Sequence, residues 1–161
     1  TKSLQKEPFS SMKPLRNVVM AYSLMPERMS NSLDNKAPPI SKRIRVISEL
    51  ASKGWKIGLR FDPLIHGENW KELYQELLHT LYNSISHECI HSVSIGPLRF
   101  PKRMFKDILK LYPNEQLFTS PLSTNNKIIS YDISIEKEMT SFCTDMSLKY
   151  VNENQIFKCS V

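Results

Sequence analysis

Segments of strand length alternate with amphipathic helical segments along most of this chain. The first, NVVMAYSL at residues 17–24, is almost continuously apolar, which is typical of a strand buried on both faces of a parallel sheet. The clearest helix covers residues 69–84, where apolar side chains recur every three or four positions in one stripe. In chain order, the predicted elements are strand 17–24, helix 42–53, strand 55–61, helix 69–84, strand 89–98, helix 101–111, strand 127–133, a helix that follows Ser134 and strand 155–159. This order predicts an α/β fold with mainly parallel strands covered by helices.

Capping and turn-forming residues set the predicted ends of these elements. Ser41 and Ser134 are candidate N-caps, because a serine hydroxyl can accept a hydrogen bond from the first helical turn. Gly54 is a candidate C′ residue, since it tolerates the left-handed conformation that commonly closes a helix. The polar, turn-rich stretches at 30–39 and 112–126 are predicted loops.

The length of 161 residues fits one domain with a hydrophobic core. We predict a single domain over 1–161, divided into an N-terminal arm at 1–16, successive β/α units at 17–111 and a C-terminal extension at 112–161. The chain begins with Thr1 rather than methionine, which is typical of a trimmed chain or a piece of a longer one.

Several features predict a cytoplasmic protein without a membrane segment. No apolar run approaches the length of about 20 residues that spans a bilayer. Residues 1–10 lack the apolar core of a secretory signal. The cysteines, Cys89, Cys143 and Cys159, are odd in number and far apart, which argues against disulfides and favours a reducing compartment. The same spacing argues against an iron–sulfur cluster held by this chain alone, because such a cluster needs grouped thiolates.

The net charge permits a polyanionic partner such as DNA without requiring one. The chain has 22 basic and 16 acidic residues, a formal charge of +6. Two of the predicted helices are basic, and their cations form either a solvated outer face or a phosphate-contacting surface. The residues concerned are Lys42, Arg43, Arg45, Lys102, Arg103, Lys106 and Lys110.

Sequence signatures of the common α/β enzymes are missing. With four glycines in the chain, neither G-x-G-x-x-G nor a P-loop can be written. No G-x-S-x-G elbow and no H-E-x-x-H segment occurs. These absences argue against most of the familiar α/β enzyme classes.

The segment HECIH is a candidate metal site. His87, Cys89 and His91 alternate, so on a strand they would share one face, and nitrogen and sulfur ligands suit zinc. Polar residues are also common where a strand begins, and no fourth ligand is assigned. We predict no metal site in this chain.

The segment KIGLRFDPLIHGENW, residues 56–70, places Asp62, His66 and Glu68 between a predicted strand and the next helix. Ligands of α/β proteins commonly bind at such turns, and a carboxylate with an imidazole suits acid–base chemistry. The alternative is that Asp62-Pro63 ends the strand and HGEN is a solvated turn before the helix. The spacing by itself favours the solvated turn.

Several motifs in order give the chain a resemblance to a known family. They are YSLMPE at 22–27, P-x-I-S-K-R-I at 38–44, ASKGW at 51–55, GLRFDPLIHGENW at 58–70 and SIGPLRFPKRM at 94–104. Over roughly residues 15–160, and most specifically over 22–74, the chain resembles the C-terminal half of spore photoproduct lyases, which are radical S-adenosylmethionine enzymes. The segments NNKIISYDI and IFKCSV look like shortened versions of the family's closing segments.

The resemblance implies that this chain is the C-terminal half of a partial (β/α) barrel, with a short C-terminal β/α extension. It implies S-adenosylmethionine beside a [4Fe–4S] cluster, across the C-terminal ends of the strands, and splitting of a thymine dimer in DNA through a deoxyadenosyl radical. Arg99 would face the substrate. The cofactor positions carried over are Ser23, for the methionine part, and Phe61, Asp62, Pro63 and Leu64, for the adenine. Strand ends are also where a β/α barrel keeps its active site.

Departures from the family pattern limit what this chain is expected to do. The three-cysteine cluster motif is missing, Met25 stands where the family has Asn, and Asp62 replaces a small residue. The aromatic residues expected near 128–131 are reduced to Ile128, Ile129 and Tyr131. Without a cluster the cofactor receives no electron, so we predict no catalytic residue in this chain and no lyase activity from it alone.

Two functions are therefore expected from different classes. In the first, a second polypeptide carries the cluster and the front half of the barrel, and it binds along the exposed edge of strand 17–24. In the second, the chain is a non-catalytic α/β module that binds nucleic acid through its basic helices or serves only a structural role.

Overall fold

Four parallel strands form the central sheet in the computed structural model, which describes residues 1–34 and 36–159. In chain order, the elements are β1 (Val19–Ser23), α1 (Glu27–Leu33), α2 (Ile40–Ser52), β2 (Lys56–Leu64), α3 (Trp70–Ser84), β3 (Ile90–Pro97), β4 (Arg99–Pro101), α4 (Lys102–Leu111), β5 (Leu122–Asn125), β6 (Ile128–Tyr131), α5 (Ile133–Ser147) and β7 (Ile156–Lys158). The strands lie in the order β1-β2-β3-β7, and each neighbouring pair is parallel. Asn35 of the predicted loop, and Ser160 and Val161 of the closing segment, lie outside the described residues.

The central sheet confirms the prediction of an α/β fold with mainly parallel strands and covering helices. Helix α2 packs on β2, and α5 packs on β3 and α3. Leu59 and Phe61 of β2 are fully buried on the helical side. Because side chains alternate along a strand, Arg60 and Asp62 belong to the opposite face, which is polar. That face holds a cavity of about 280 Å³ lined by Arg60, His91, Ser92, Ser94 and Phe157.

A second sheet, β4-β6-β5, is antiparallel. The prediction that strand 127–133 joins the parallel sheet is therefore wrong, and the predicted loop 112–126 contains β5. Strands β5 and β6 form a hairpin whose turn includes Asn126, with a left-handed φ of 53°. Asparagine tolerates this conformation, and a connection this short allows only antiparallel pairing.

The N-termini of two helices differ from prediction. Helix α2 is preceded by Pro39 rather than capped by the Ser41 hydroxyl. The carboxylate of Glu27 accepts hydrogen bonds from the N–H groups of Ile40 and Ser41, at 3.2 and 2.9 Å, and so replaces a local cap. Helix α5 begins after Asp132, and Ser134 lies inside its first turn.

Helix α1 has no counterpart among the predicted elements, because seven residues between a proline and Asp34 carry no long apolar stripe. The end of α2 agrees with prediction. Gly54 has φ of +88°, its N–H donates to Ala51 O at 2.8 Å, and the Trp55 N–H donates to Leu50 O at 3.2 Å. This is the Schellman arrangement that a glycine in the C′ position permits.

Strand β2 continues past its predicted end. Its ladder with β3 shifts register after Phe61 and resumes where Leu64 pairs with Pro97, and the Leu98 N–H donates to the Leu64 carbonyl at 3.1 Å. Asp62 and Pro63 therefore lie inside β2, so the interpretation of Asp-Pro as the end of the strand is wrong. The irregular ladder lets a proline, which has no N–H, sit within the strand.

The N-terminal arm packs against the domain. The Thr1 nitrogen donates to Ala21 O at 2.7 Å, and its carbonyl accepts from the Ser23 N–H at 2.9 Å, so Thr1 covers the end of the β1 edge. Further along, the Trp55 indole donates to Phe9 O at 2.9 Å, and the two rings meet edge to face. Within the described ranges, no helix has the length and apolar character needed to cross a bilayer.

Candidate functional site

Three neighbouring strand ends bring the predicted site residues to one edge of the sheet. Ser23, the last residue of β1, pairs in register with Arg60 of β2. Asp62 follows two residues later on the same face of β2, and Arg99 opens β4 directly beyond β3. These are the carboxyl ends of parallel strands, where β/α folds place their ligands.

The main chain of Ser23 is held on both sides. Its N–H donates to Thr1 O at 2.9 Å, and its carbonyl accepts from Arg43 Nη1 at 3.2 Å. The Ser23 side chain is half-buried, and within the described residues its hydroxyl has no hydrogen-bond partner. The backbone is thus fixed while the hydroxyl is free to bind a ligand.

Arg43 is fully buried beneath this strand end. Its guanidinium donates from Nε to Pro38 O at 2.8 Å and from Nη2 to Asp34 Oδ2 at 3.1 Å. Asp34 also pairs with Lys2. Burial opposes ionisation of Asp34, but the hydrogen bonds from the two cations outweigh burial and hold the pKa of its carboxyl below the usual value. Arg43 therefore belongs to the core. It lies neither on a solvated outer face nor on a phosphate-contacting surface, so both of those interpretations are wrong for this residue.

Asp62 and Arg99 form a two-point ion pair between β2 and β4. Nη1 of Arg99 contacts Oδ1 at 3.0 Å, and Nη2 contacts Oδ2 at 2.9 Å. The hydrogen bonds to Asp62 raise the pKa of the Arg99 guanidinium above its usual value. Both side chains are partly exposed, so the pair lies at the rim of the site rather than in the core.

Two glycines make room for the arginines of this face. A Cβ at Gly58 would lie 3.0 Å from Arg60 Nη2, and a Cβ at Gly96 would lie 2.8 Å from Arg99 Nη1. Arg60 Nη1 donates to the Ser92 hydroxyl at 3.1 Å. The sequence indicates that Arg60 lies on the polar face of its strand, since it alternates with the apolar residues Leu59 and Phe61. Nothing in the sequence distinguishes Arg43 as buried, because its helix carries several other cations.

The turn after β2 is held by two phenols and borders a cavity. The Ile65 N–H donates to Tyr74 Oη at 2.8 Å, and the His66 N–H donates to Tyr131 Oη at 2.9 Å. Burial raises the pKa of both phenols, that of Tyr131 to about 12. The cavity has a volume of about 380 Å³, and its lining includes Arg28, Met29, His66, Glu68, Leu73 and Leu117.

Asp62, His66 and Glu68, the candidate acid–base residues of this turn, do not lie together in the structure. His66 and Glu68 line the cavity, whereas Asp62 pairs with Arg99 on the sheet face. His66 and Gly67 are half-buried and Glu68 and Asn69 are exposed, so the turn is open to solvent over its second half, and its ionisable groups do not form one cluster with Asp62.

His87, Cys89 and His91 do not share a strand face, the arrangement on which a metal site at HECIH would depend. Residues His87–Cys89 form a 3-10 turn before β3, so the alternation of a strand does not apply to them. His87 Nε2 contacts Tyr82 O at 3.2 Å, and Cys89 Sγ contacts Ala51 O at 3.3 Å. His91, inside β3, is exposed.

The cysteines do not fit a cluster site. Cys89 lies at that turn, and Cys159 Sγ contacts Ser94 Oγ at 3.3 Å beyond β7. Cys143 is buried in α5, and burial raises the pKa of its thiol to about 12, which disfavours the thiolate that binds iron. Within the described ranges, no group of His, Cys, Asp or Glu has the geometry of a metal site.

Comparisons with known proteins point to one family. The family model for spore photoproduct lyase matches residues 10–154. The spore photoproduct lyase of Clostridium acetobutylicum is 25% identical over 101 residues, which are 63% of this chain and 30% of the relative.

Solved structures share the fold. A cysteine-to-alanine mutant of spore photoproduct lyase superposes with a TM-score of 0.72 at 16% identity, covering 89% of this chain and 44% of the other. A double mutant with bound AdoMet and dinucleoside spore photoproduct gives 0.67 at 16% identity, covering 87% and 43%. The chain thus spans less than half the length of these relatives, and coverage of this size agrees with a partial barrel.

Proposed function

The chain belongs to the spore photoproduct lyase family, and from this premise we propose that it supplies the rear β/α units of a radical S-adenosylmethionine protein. In this proposal it binds part of the cofactor and the substrate end of the site. Because its cysteines do not fit a cluster, the [4Fe–4S] half is assigned to a second polypeptide that carries the front of the barrel. The chain by itself then has no lyase activity.

The described residues fit a role in holding S-adenosylmethionine. The hydroxyl of Ser23 is free at the end of β1, and the β2–β3 ladder is interrupted between Phe61 and Leu64, which leaves main-chain groups beside Asp62 and Pro63 for an adenine. Ser23 would bind the methionine part. The bound cofactor supplies radical chemistry, and these residues only bind and orient it.

The substrate end is assigned to Arg99. A guanidinium suits the phosphate of a nucleic acid. By analogy with the family, the substrate of the assembled protein is a thymine dimer in DNA. The convergence of Ser23, Asp62 and Arg99 on adjoining strand ends is the observation that carries the whole proposal.

Calorimetric titration with S-adenosylmethionine tests this proposal. The chain is titrated alone and mixed with a polypeptide that carries the front half of the family's barrel and its cluster. We expect binding in the mixture and its weakening in Ser23→Ala. The matched control is Ser123→Ala, an exposed serine of β5. Unchanged affinity in Ser23→Ala, or no binding in the mixture, would contradict the proposed site.

A second candidate function is a non-catalytic nucleic-acid-binding module. It is favoured by α4, in which no residue is buried, so that Lys102, Arg103, Lys106 and Lys110 are exposed together. Helix α2 offers less, since its Arg43 lies in the core. Phosphate contacts predict a steep loss of affinity for DNA between about 50 and 200 mM salt. Absence of binding at low salt would remove this candidate.

A further inference from the structure

The guanidinium of Arg99 is occupied by a carboxylate of its own chain. Both terminal nitrogens contact Asp62, at 3.0 and 2.9 Å, and Nη1 also donates to Pro97 O at 3.1 Å. A planar guanidinium binds a carboxylate and a phosphate with the same two-point geometry. Asp62 therefore fills the position in which Arg99 would bind an anion.

The pair is accessible enough to exchange partners. The Arg99 side chain is 32% exposed and that of Asp62 is 24% exposed. Water and salt reach this pair and screen it, so it is weaker than the same two-point pair would be in the core. A phosphate from solution can thus reach the guanidinium, but it must displace Asp62 first.

The surroundings of Arg99 contain charge of both signs. Helix α4 begins three positions after Arg99 and exposes Lys102 and Arg103 in its first turn, which would attract a polyanion. On the other side, Glu136 interacts electrostatically with Arg99, although its carboxylate already accepts a hydrogen bond from the Ser130 hydroxyl. Asp62 is thus the carboxylate that competes directly for the guanidinium nitrogens.

We propose that Asp62 is an internal competitor for Arg99, and that it sets how tightly this chain binds a phosphodiester of single-stranded nucleic acid. The inference rests on the proposed function, which assigns Arg99 to the substrate end. A single strand suits the site, since its flexible backbone can bring one phosphate to the partly exposed guanidinium of Arg99. Loss of the Asp62 charge frees Arg99 for that phosphate.

Fluorescence anisotropy with a short labelled oligothymidylate tests this competition. Asp62→Asn removes the charge and nearly preserves the shape of the side chain. We expect its affinity to rise about three- to tenfold over the wild type, with a salt dependence steeper by about 0.7 in logarithmic slope, as one added phosphate contact on a single strand predicts. The gain should vanish in Asp62→Asn/Arg99→Gln.

The control is Glu68→Gln, which removes one exposed negative charge near the same sheet edge but touches no part of the pair. An equal gain in Glu68→Gln, a gain that survives loss of Arg99, or no binding by any variant would overturn the inference. Asp62→Ala provides a second substitution, and thermal melting shows whether each variant is folded. Titration with S-adenosylmethionine, which tests the proposed function, is a separate measurement, so the two failures are distinguishable.

Discussion

The hydroxyl oxygen of Tyr131 accepts a hydrogen bond from the main-chain N–H of His66 at 2.9 Å. This bond joins the antiparallel sheet to the turn that follows β2, across 65 positions of sequence. Tyr74 holds the neighbouring Ile65 N–H from α3 in the same way. The second sheet is therefore part of the framework of the candidate site.

Tyr131→Phe should destabilise the fold by about 1 to 2 kcal/mol, because the half-buried His66 N–H loses its acceptor while the ring packing is kept. Chemical denaturation measures the change in free energy of unfolding. Tyr112→Phe is the control, since Tyr112 is 60% exposed, and its effect should stay within about 0.5 kcal/mol. Equal effects in the two variants would show that the bond contributes nothing.

Gly54→Ala should cost roughly 1 to 2 kcal/mol, because alanine at φ of +88° is strained in the folded state. Gly67→Ala is the matched control. Gly67 has no positive φ, and an added Cβ there would meet its nearest heavy atom, the Met29 methyl, at 3.9 Å. We expect Gly67→Ala to leave the free energy of unfolding within about 0.5 kcal/mol of the wild type. A similar loss of stability in both variants would show that the left-handed conformation of Gly54 is not the cause.

The parallel core was predictable from sequence, because its signals are local. Each strand is a short apolar or alternating run, and Gly54 and the α3 stripe mark helix boundaries directly. The second sheet was not predictable from sequence, since β4 has three residues and β5 has four, which are too few to show a periodicity. Its position depends on pairing between segments far apart in sequence.

The candidate site, too, could be predicted from the sequence only in part. The sequence pattern of strands and helices was enough to place Asp62 and Arg99 at strand ends. Their ion pair could not be predicted, because it depends on the register of β2 with β3. The burial of Arg43 gave no sequence signal. Its partners, Pro38, Asp34 and the Ser23 carbonyl, come from a loop and a strand end, and a cation in a basic helix is ordinarily on the surface.

Asp34→Asn should reduce stability at neutral pH by about 2 to 3 kcal/mol, since it leaves buried Arg43 without its counter-charge but with its carbonyl partners. The pKa of Asp34 is lower in the folded than in the unfolded state, so its charge stabilises the fold above the unfolded pKa. That stabilisation is lost as pH falls from the unfolded pKa through the folded one. Denaturation across the acid range should therefore show a flatter pH dependence in Asp34→Asn than in the wild type. Parallel curves would contradict the assigned coupling.

Aromatic contacts of Phe105 help to hold helix α4 to the domain, beside a hydrogen bond from the Lys102 N–H to Lys127 O at 2.8 Å, and Phe105→Ala tests their contribution. The Phe105 ring lies 5.7 Å from Phe100 and 5.3 Å from Phe118, between centroids, and no residue of α4 is buried. Truncating the ring should release α4 locally, because the ring contacts are lost and the other inward apolar residues of the helix, Ile108 and Leu109, are only half-buried.

Hydrogen exchange measured by mass spectrometry distinguishes this local release from general destabilisation. We expect amide exchange in 102–111 to accelerate at least tenfold in Phe105→Ala, which corresponds to about 1.4 kcal/mol, while α3 and β3 keep their protection. Met104→Ala is the control, because Met104 is next in sequence but 51% exposed, and it should leave exchange in α4 unchanged. Faster exchange throughout the central sheet would show instead that Phe105 supports the main core, and the basic surface of α4 would then be a rigid part of the domain.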